Sequence, residues 1–145
     1  METQNIFFDD VAEGDAGPAL SHQLTRTDLV MYAGASGDFN PMHTDEVKAK
    51  EAGLPSVFGH GMFSAGLLAT AITNYVGIGN LASYRMRFTK QTWPGEMLST
   101  SVAVIEKRPG NLSTGSDGSY ATGEQADWKM ETKNGLHSSS QLAPL

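Results

Sequence analysis

Cysteine is absent from this chain of 145 residues. That excludes a disulfide framework, a thiolate zinc site and a cysteine nucleophile, and it fits a reducing, cytoplasmic setting. The start, Met1 to Asp10, has neither a basic segment nor an apolar stretch, so no signal peptide is read there. Cations are scarce, 10 Lys and Arg against 16 Asp and Glu, for a net charge of -6. An acidic chain without a Lys/Arg cluster argues against general nucleic-acid binding, because it has little to set against phosphate. The few basic residues do group, as Arg85, Arg87 and Lys90 and then Lys107 and Arg108. Solvated strand ends account for such a grouping; a docking patch for phosphates or an acidic carrier is the functional alternative.

Charge disappears entirely from Ala52 to Tyr84, where no Asp, Glu, Lys or Arg occurs. Inside this stretch Met62 to Val76 is apolar nearly all round, with Met62, Phe63, Leu67, Leu68, Ile72, Tyr75 and Val76 among small Ala and Gly residues. A helix without a polar face is a buried one. A membrane span needs about 20 apolar residues; this run is shorter, and Ser64, Thr70, Thr73 and Asn74 interrupt it. The expectation is therefore a helix at the centre of one domain, 1–145, with no membrane partner.

The flanks supply the wrapping. Ile6 to Leu20, with Gly14, Gly17 and Pro18, predicts an extended lead-in loop or edge strand. Thr25 and Asp28 form a capping-box variant opening a helix over about 27–35, with Leu29, Val30, Tyr32 and Ala33 partly inward and Gly34 and Gly37 ending it. Asp38 to His43 reads as a turn, and Thr44-Asp45-Glu46 caps a short charged helix that stops at Gly53. Beyond the central helix the pattern switches to period two. Ala82, Tyr84, Met86 and Phe88 alternate with Ser83, Arg85, Arg87 and Thr89; Leu98, Thr100, Val102 and Val104 follow, then Ala126, Trp128 and Met130. Trp93-Pro94-Gly95-Glu96 is a turn, Pro109 to Gly123 a long mobile loop, and Leu136 to Leu142 a final strand. One-sided strands on one buried helix define an α+β layer.

Chemistry concentrates in Gly37-Asp38-Phe39-Asn40-Pro41-Met42-His43 and in Gly59-His60-Gly61-Met62. Fully extended, Asp38 to His43 would span roughly 17 Å, so convergent side chains need a bend. Asn40-Pro41 supplies one, since proline fixes its own φ and keeps Asn40 out of the helical region. A carboxylate and an imidazole brought together can both handle a proton near neutral pH. The plainer reading is a capping Asp and a hydrogen-bonded His. Gly61 opens the central helix, where the first amides lack intrahelical partners and their partial positive charge suits a developing oxyanion. An ordinary tight turn would use the same glycine. Asp38, His43 and His60 also spell a conceivable metal triad, but nothing in their spacing requires one and no metal is expected. No nucleophile elbow and no glycine-rich phosphate loop is present, so no cofactor is read from the chain.

The string Tyr32-Ala33-Gly34-Ala35-Ser36-Gly37-Asp38-Phe39-Asn40-Pro41-Met42-His43, with Phe58-Gly59-His60-Gly61-Met62 and the strand Arg85 to Phe88, resembles the MaoC-like family of (R)-specific enoyl-CoA hydratases and (3R)-hydroxyacyl thioester dehydratases. The specific similarity covers about Leu24 to Pro94, and the Gly/Ser-rich stretch from Gly110 to Gly123 is longer than the family leads one to expect. The resemblance implies a hotdog fold, a long central helix wrapped by an antiparallel β-sheet, paired as a homodimer or heterodimer. It implies that Asp38 and His43 are the catalytic pair, that the Gly61 N–H holds the thioester oxygen, and that Asn40 and Pro41 set the loop. His60, Met62, Arg85 and Arg87 are then candidate contacts to substrate or carrier, which is either coenzyme A or an acyl carrier protein. Which of Asp38 and His43 is the base stays open, as do thioester hydrolysis, addition of another nucleophile and a purely acyl-binding subunit.

Overall fold

A computed structural model describes residues 8–78, 81–108, 113–114, 120–121, 125–132 and 136–142. A 3-10 turn at Phe8–Asp10 leads to β1 (Ser21–Gln23), α1 (Arg26–Ser36), α2 (Pro41–Thr44), α3 (Glu46–Glu51) and α4 (Gly61–Val76). Then come β2 (Leu81–Phe88), β3 (Met97–Arg108), β4 (Ser113–Thr114), β5 (Tyr120–Ala121), β6 (Gln125–Thr132) and β7 (Leu136–Leu142). One five-stranded sheet has the order β1-β3-β6-β7-β2, and every neighbouring pair is antiparallel.

The alternation in β3 does what a one-sided strand must. Leu98, Thr100, Val102 and Val104 are buried, and Val102 and Val104 pack against Leu68, Ala71, Ile72 and Val76 of α4. A second cluster, Leu24, Leu29, Ala49, Val57 and Leu98, joins α1 and α3 to the other end of the layer, with Phe63 and Leu67 of α4 against it. The helix thus bridges both cores. Tyr84 of β2 fastens it further, donating its hydroxyl to the Ala65 carbonyl at 2.8 Å; burial pushes that phenol up to about 12. Thr100, polar but buried, is satisfied: its hydroxyl accepts from the Leu20 amide at 2.9 Å.

Several sequence expectations hold in detail. The lead-in segment runs along β3, with Gly14 and Gly17 amides donating to the Val104 and Val102 carbonyls. Thr25 and Asp28 form both bonds of the capping box. Asp45 caps α3, the Trp93–Glu96 turn closes with a 3.0 Å bond, and Leu136–Leu142 is a strand. Others are corrected. Gly34 lies inside α1, and only Gly37 ends it; Val30 points outward. The stretch from Asp38 to His43 is not all turn, because Pro41 begins a short helix that carries His43. The central helix is not covered all round: Met62, Gly66, Thr70 and Asn74, spaced by four, form an exposed row, since the sheet packs on the opposite face. Within the Gly/Ser-rich stretch, Ser113–Thr114 pairs with Tyr120–Ala121; the rest of it lies outside the described residues. No helix among the described residues is long and apolar enough to cross a membrane.

Ile72 sits at the meeting of α4 and β3 with no solvent exposure. Ile72→Ala is expected to destabilise the fold by about 2–5 kcal/mol, the transfer loss plus a cavity, with the two-state denaturant midpoint as the measurement.

Candidate active site

The site is assembled from three short pieces. Gly37 ends α1 with φ of 77°, a left-handed turn that a side chain resists, and directs the chain to Asp38. Asn40 then accepts from the Met42 amide at 3.0 Å, capping α2, while Pro41 occupies its first turn. This one helical turn swings His43 back toward Asp38, and the Asn40 amide donates to Asp38 Oδ1 at 3.3 Å. The third piece is the segment before α4. The Phe58 amide donates to the Met42 carbonyl and the Gly59 amide to that of Thr92, so the segment is tied on both sides as it approaches Gly61. Glu46 of α3 braces the same region, pairing with Arg26 at 2.8 Å and accepting from Ser56 at 3.0 Å. The Arg26 bond, helped by Ser56 and Lys50, holds that carboxyl down at about 2.

A cleft of about 590 Å³ opens where the pieces meet, and Asp38, His43, Gly61 and Met62 all line it. Its far wall is the stretch from Phe88 to Thr92, which includes Lys90. Arg85 and Arg87 are exposed on β2 and do not line the cleft. His60 is 1% exposed and sits behind the wall. Its Nε2–H donates to the Asp38 carbonyl at 3.1 Å, and its ring lies 4.0 Å from that of His43 at 32° and 5.0 Å from that of Tyr32. Burial pushes the His60 pKa down, with the neighbouring His43 acting in the same direction. The neutral ring is therefore a prop under Asp38 and His43.

The His43 tautomer follows from its partner. Nδ1 is 2.7 Å from the Phe58 carbonyl, which can only accept, so Nδ1 carries the proton and Nε2 keeps a lone pair. One carboxylate oxygen of Asp38 and one ring nitrogen of each histidine lie within 4.8 Å of one another. Two hydrogen bonds of about 2.8 Å meeting at one water span roughly 4.6 Å. A carboxylate oxygen and a ring nitrogen at that separation are within reach of one bridging water.

At the helix start, His60 is the N-cap residue but makes no side-chain cap bond. The Phe63 amide donates to the His60 carbonyl at 3.1 Å, and the amides of the lining residues Gly61 and Met62 precede it without a side-chain cap. A Cβ on Gly61 would come within 3.1 Å of the Phe88 ring, so Phe88 is the neighbour that keeps this position small. The Phe58 carbonyl, Ser64 and Thr92 are site components that sequence reasoning did not single out. Ser64 had a signal, a polar residue three positions after Gly61 in an apolar run; a backbone carbonyl has none.

Comparison with known proteins places this architecture. The fold matches that of R-hydratase PhaJ1 from Pseudomonas aeruginosa in its unliganded form with a TM-score of 0.75, at 24% identity, over 97% of this chain and 86% of that one. It is an α+β hotdog, a long helix on an antiparallel sheet. The MaoC like domain matches residues 11–124, and the chain belongs to that family. Among curated relatives, 3-hydroxyacyl-thioester dehydratase Y of Mycobacterium tuberculosis is 38% identical over 104 residues, 67% of this chain and 36% of that protein. The (R)-specific enoyl-CoA hydratase of Rhodospirillum rubrum is 28% identical over 100 residues, 68% of this chain and 69% of that protein. The chain thus spans about a third of the length of the dehydratase it matches.

Because His60 is held below its ordinary value of 6.5, the unfolded chain binds a proton that the folded one refuses. Its contribution to stability is complete above 6.5 and lost as pH falls below that value. The thermal midpoint is expected to drop between about pH 7.5 and about pH 5.5 in the native chain and to drop less in His60→Gln. Scanning calorimetry across that window is the check.

Proposed function

We propose that this chain is a hydro-lyase that reversibly adds water to trans-2-enoyl thioesters, giving (3R)-hydroxyacyl thioesters, with Asp38 and His43 as its catalytic pair. The observation that carries the reading is the meeting of the Asp38 carboxylate, the His43 imidazole and the open start of α4 on one cleft. The names of the M. tuberculosis and R. rubrum relatives supply the substrate class.

In the hydration direction Asp38 and His43 hold one water. With Nδ1 committed to Phe58, His43 Nε2 takes a proton from that water as its oxygen bonds to the β-carbon. Electron density moves onto the thioester oxygen, and the Gly61 N–H stabilises it, assisted by the helix dipole. The imidazolium then returns the proton to the α-carbon on the same face, so that hydroxyl and hydrogen add together. Asp38 orients the water and stabilises the imidazolium. Dehydration reverses each step.

The carrier is coenzyme A or an acyl carrier protein. Lys90 on the cleft wall is the cation placed to meet its phosphates, with Arg85 and Arg87 further out on β2. Met62 and Phe88 line the cleft yet remain 56% and 48% exposed, which fits cover by a second hotdog subunit, the same or a related chain.

Asp38→Asn and His43→Ala are each expected to lower kcat/KM for crotonyl-CoA hydration by about 10²–10⁴-fold, with unchanged circular dichroism. The loss of enoyl absorbance reports the rate. Hydration at the native rate by either variant refutes the assignment, and release of free thiol in place of hydration would move the site to thioester hydrolysis.

A further inference from the structure

Two buried side-chain atoms among the described residues have no hydrogen-bond partner, Ser64 Oγ and His60 Nδ1. Leaving a buried hydroxyl unpaired carries the full penalty of its lost hydration. A serine inside a helix ordinarily avoids this by donating to the carbonyl four residues back, as Thr70 does to Gly66 at 2.9 Å. Ser64 does not, nor does it bond His60 Nδ1 one turn earlier. It is 4% exposed, it lines the cleft, and it stands one turn beyond Gly61 on the same helix. A buried, unpaired hydroxyl thus sits on a residue of the cleft lining, one turn beyond a helix start that has no side-chain cap.

We propose that the Ser64 hydroxyl is a second donor to the thioester oxygen held by the Gly61 amide; this deepens the functional reading above and rests on it. A carbonyl oxygen has two lone pairs, so an amide and a hydroxyl can serve it at once. When the oxygen becomes enolate-like both bonds become charge-assisted and strengthen, which places their effect on the transition state more than on the bound substrate. Bound substrate also supplies the acceptor that the free protein lacks.

The experiment measures crotonyl-CoA hydration by native protein, Ser64→Ala and Ser64→Thr. It also measures the carbonyl stretch of crotonyl-CoA bound to Asp38→Asn, with and without Ser64→Ala, by difference Raman. Expected are a fall in kcat of about 10²-fold in Ser64→Ala with KM nearly unchanged, recovery of most of the loss in Ser64→Thr, and a bound carbonyl stretch displaced toward its solution frequency when the hydroxyl is removed. Ser64→Cys, similar in size with a weak donor, replaces alanine should that variant fail to fold, and the same losses are expected of it. A kcat within about threefold of native, or an unmoved stretch, overturns the proposal. Should native protein hydrate no enoyl thioester, the functional reading fails, while the stretch of the bound thioester still decides the role of Ser64.

Discussion

The 2.7 Å bond from His43 Nδ1 to the Phe58 carbonyl joins the two halves of the site. It fixes a tautomer, leaving Nε2 with its lone pair, and it fastens the loop that carries Asp38 to the segment that feeds α4. Neither half would be positioned by its own sequence. The short helix from Pro41 to Thr44 is too brief to hold an orientation alone, and Phe58-Gly59 is irregular backbone. The bonds from the Phe58 amide to Met42 and from the Gly59 amide to Thr92 distribute the same restraint over three chain segments. Behind them His60, kept neutral by burial, supports the Asp38 backbone and the His43 ring together.

This arrangement explains why charge vanishes from Ala52 to Tyr84. The segment supplies the inner helix and the floor of the cleft, where an unpaired ion would carry a heavy desolvation penalty. Polar function there is delivered by backbone groups and by neutral imidazole and hydroxyl groups. Ionic braces sit outside, as in the contacts of Glu46 with Arg26 and Lys50. The dipole of α4 supplies directed positive potential without any cation among the described core residues.

Much of this was legible beforehand because it rests on local rules. The capping box at Thr25 and Asp28, the alternation of Leu98 to Val104, and the Trp93–Glu96 turn each follow from a few neighbouring residues. The family resemblance marked Asp38, His43 and Gly61, which the fold gathers on one cleft. Features that needed long-range packing were not legible. The exposed row on α4 arises because the sheet covers the other face, which composition alone does not reveal. His60 looked like a contact for ligand, yet its ring turns back to the Asp38 carbonyl because Tyr32 and His43 flank it. Phe58 contributes a carbonyl oxygen, a group that every residue possesses and no sequence pattern marks.

The start of α4 presents main-chain amides, with a tight neighbour in Phe88 and no side-chain cap. Under the proposed mechanism, in contrast, proton handling is vested in two replaceable side chains. Descent with modification can therefore strip such a fold of turnover while sparing its grip. A copy drifting away from Asp38 or His43 would retain the anion-seeking helix start, becoming a holder of acyl cargo instead of a converter of it. Gain and loss of chemistry in this architecture are, on that account, separable from affinity.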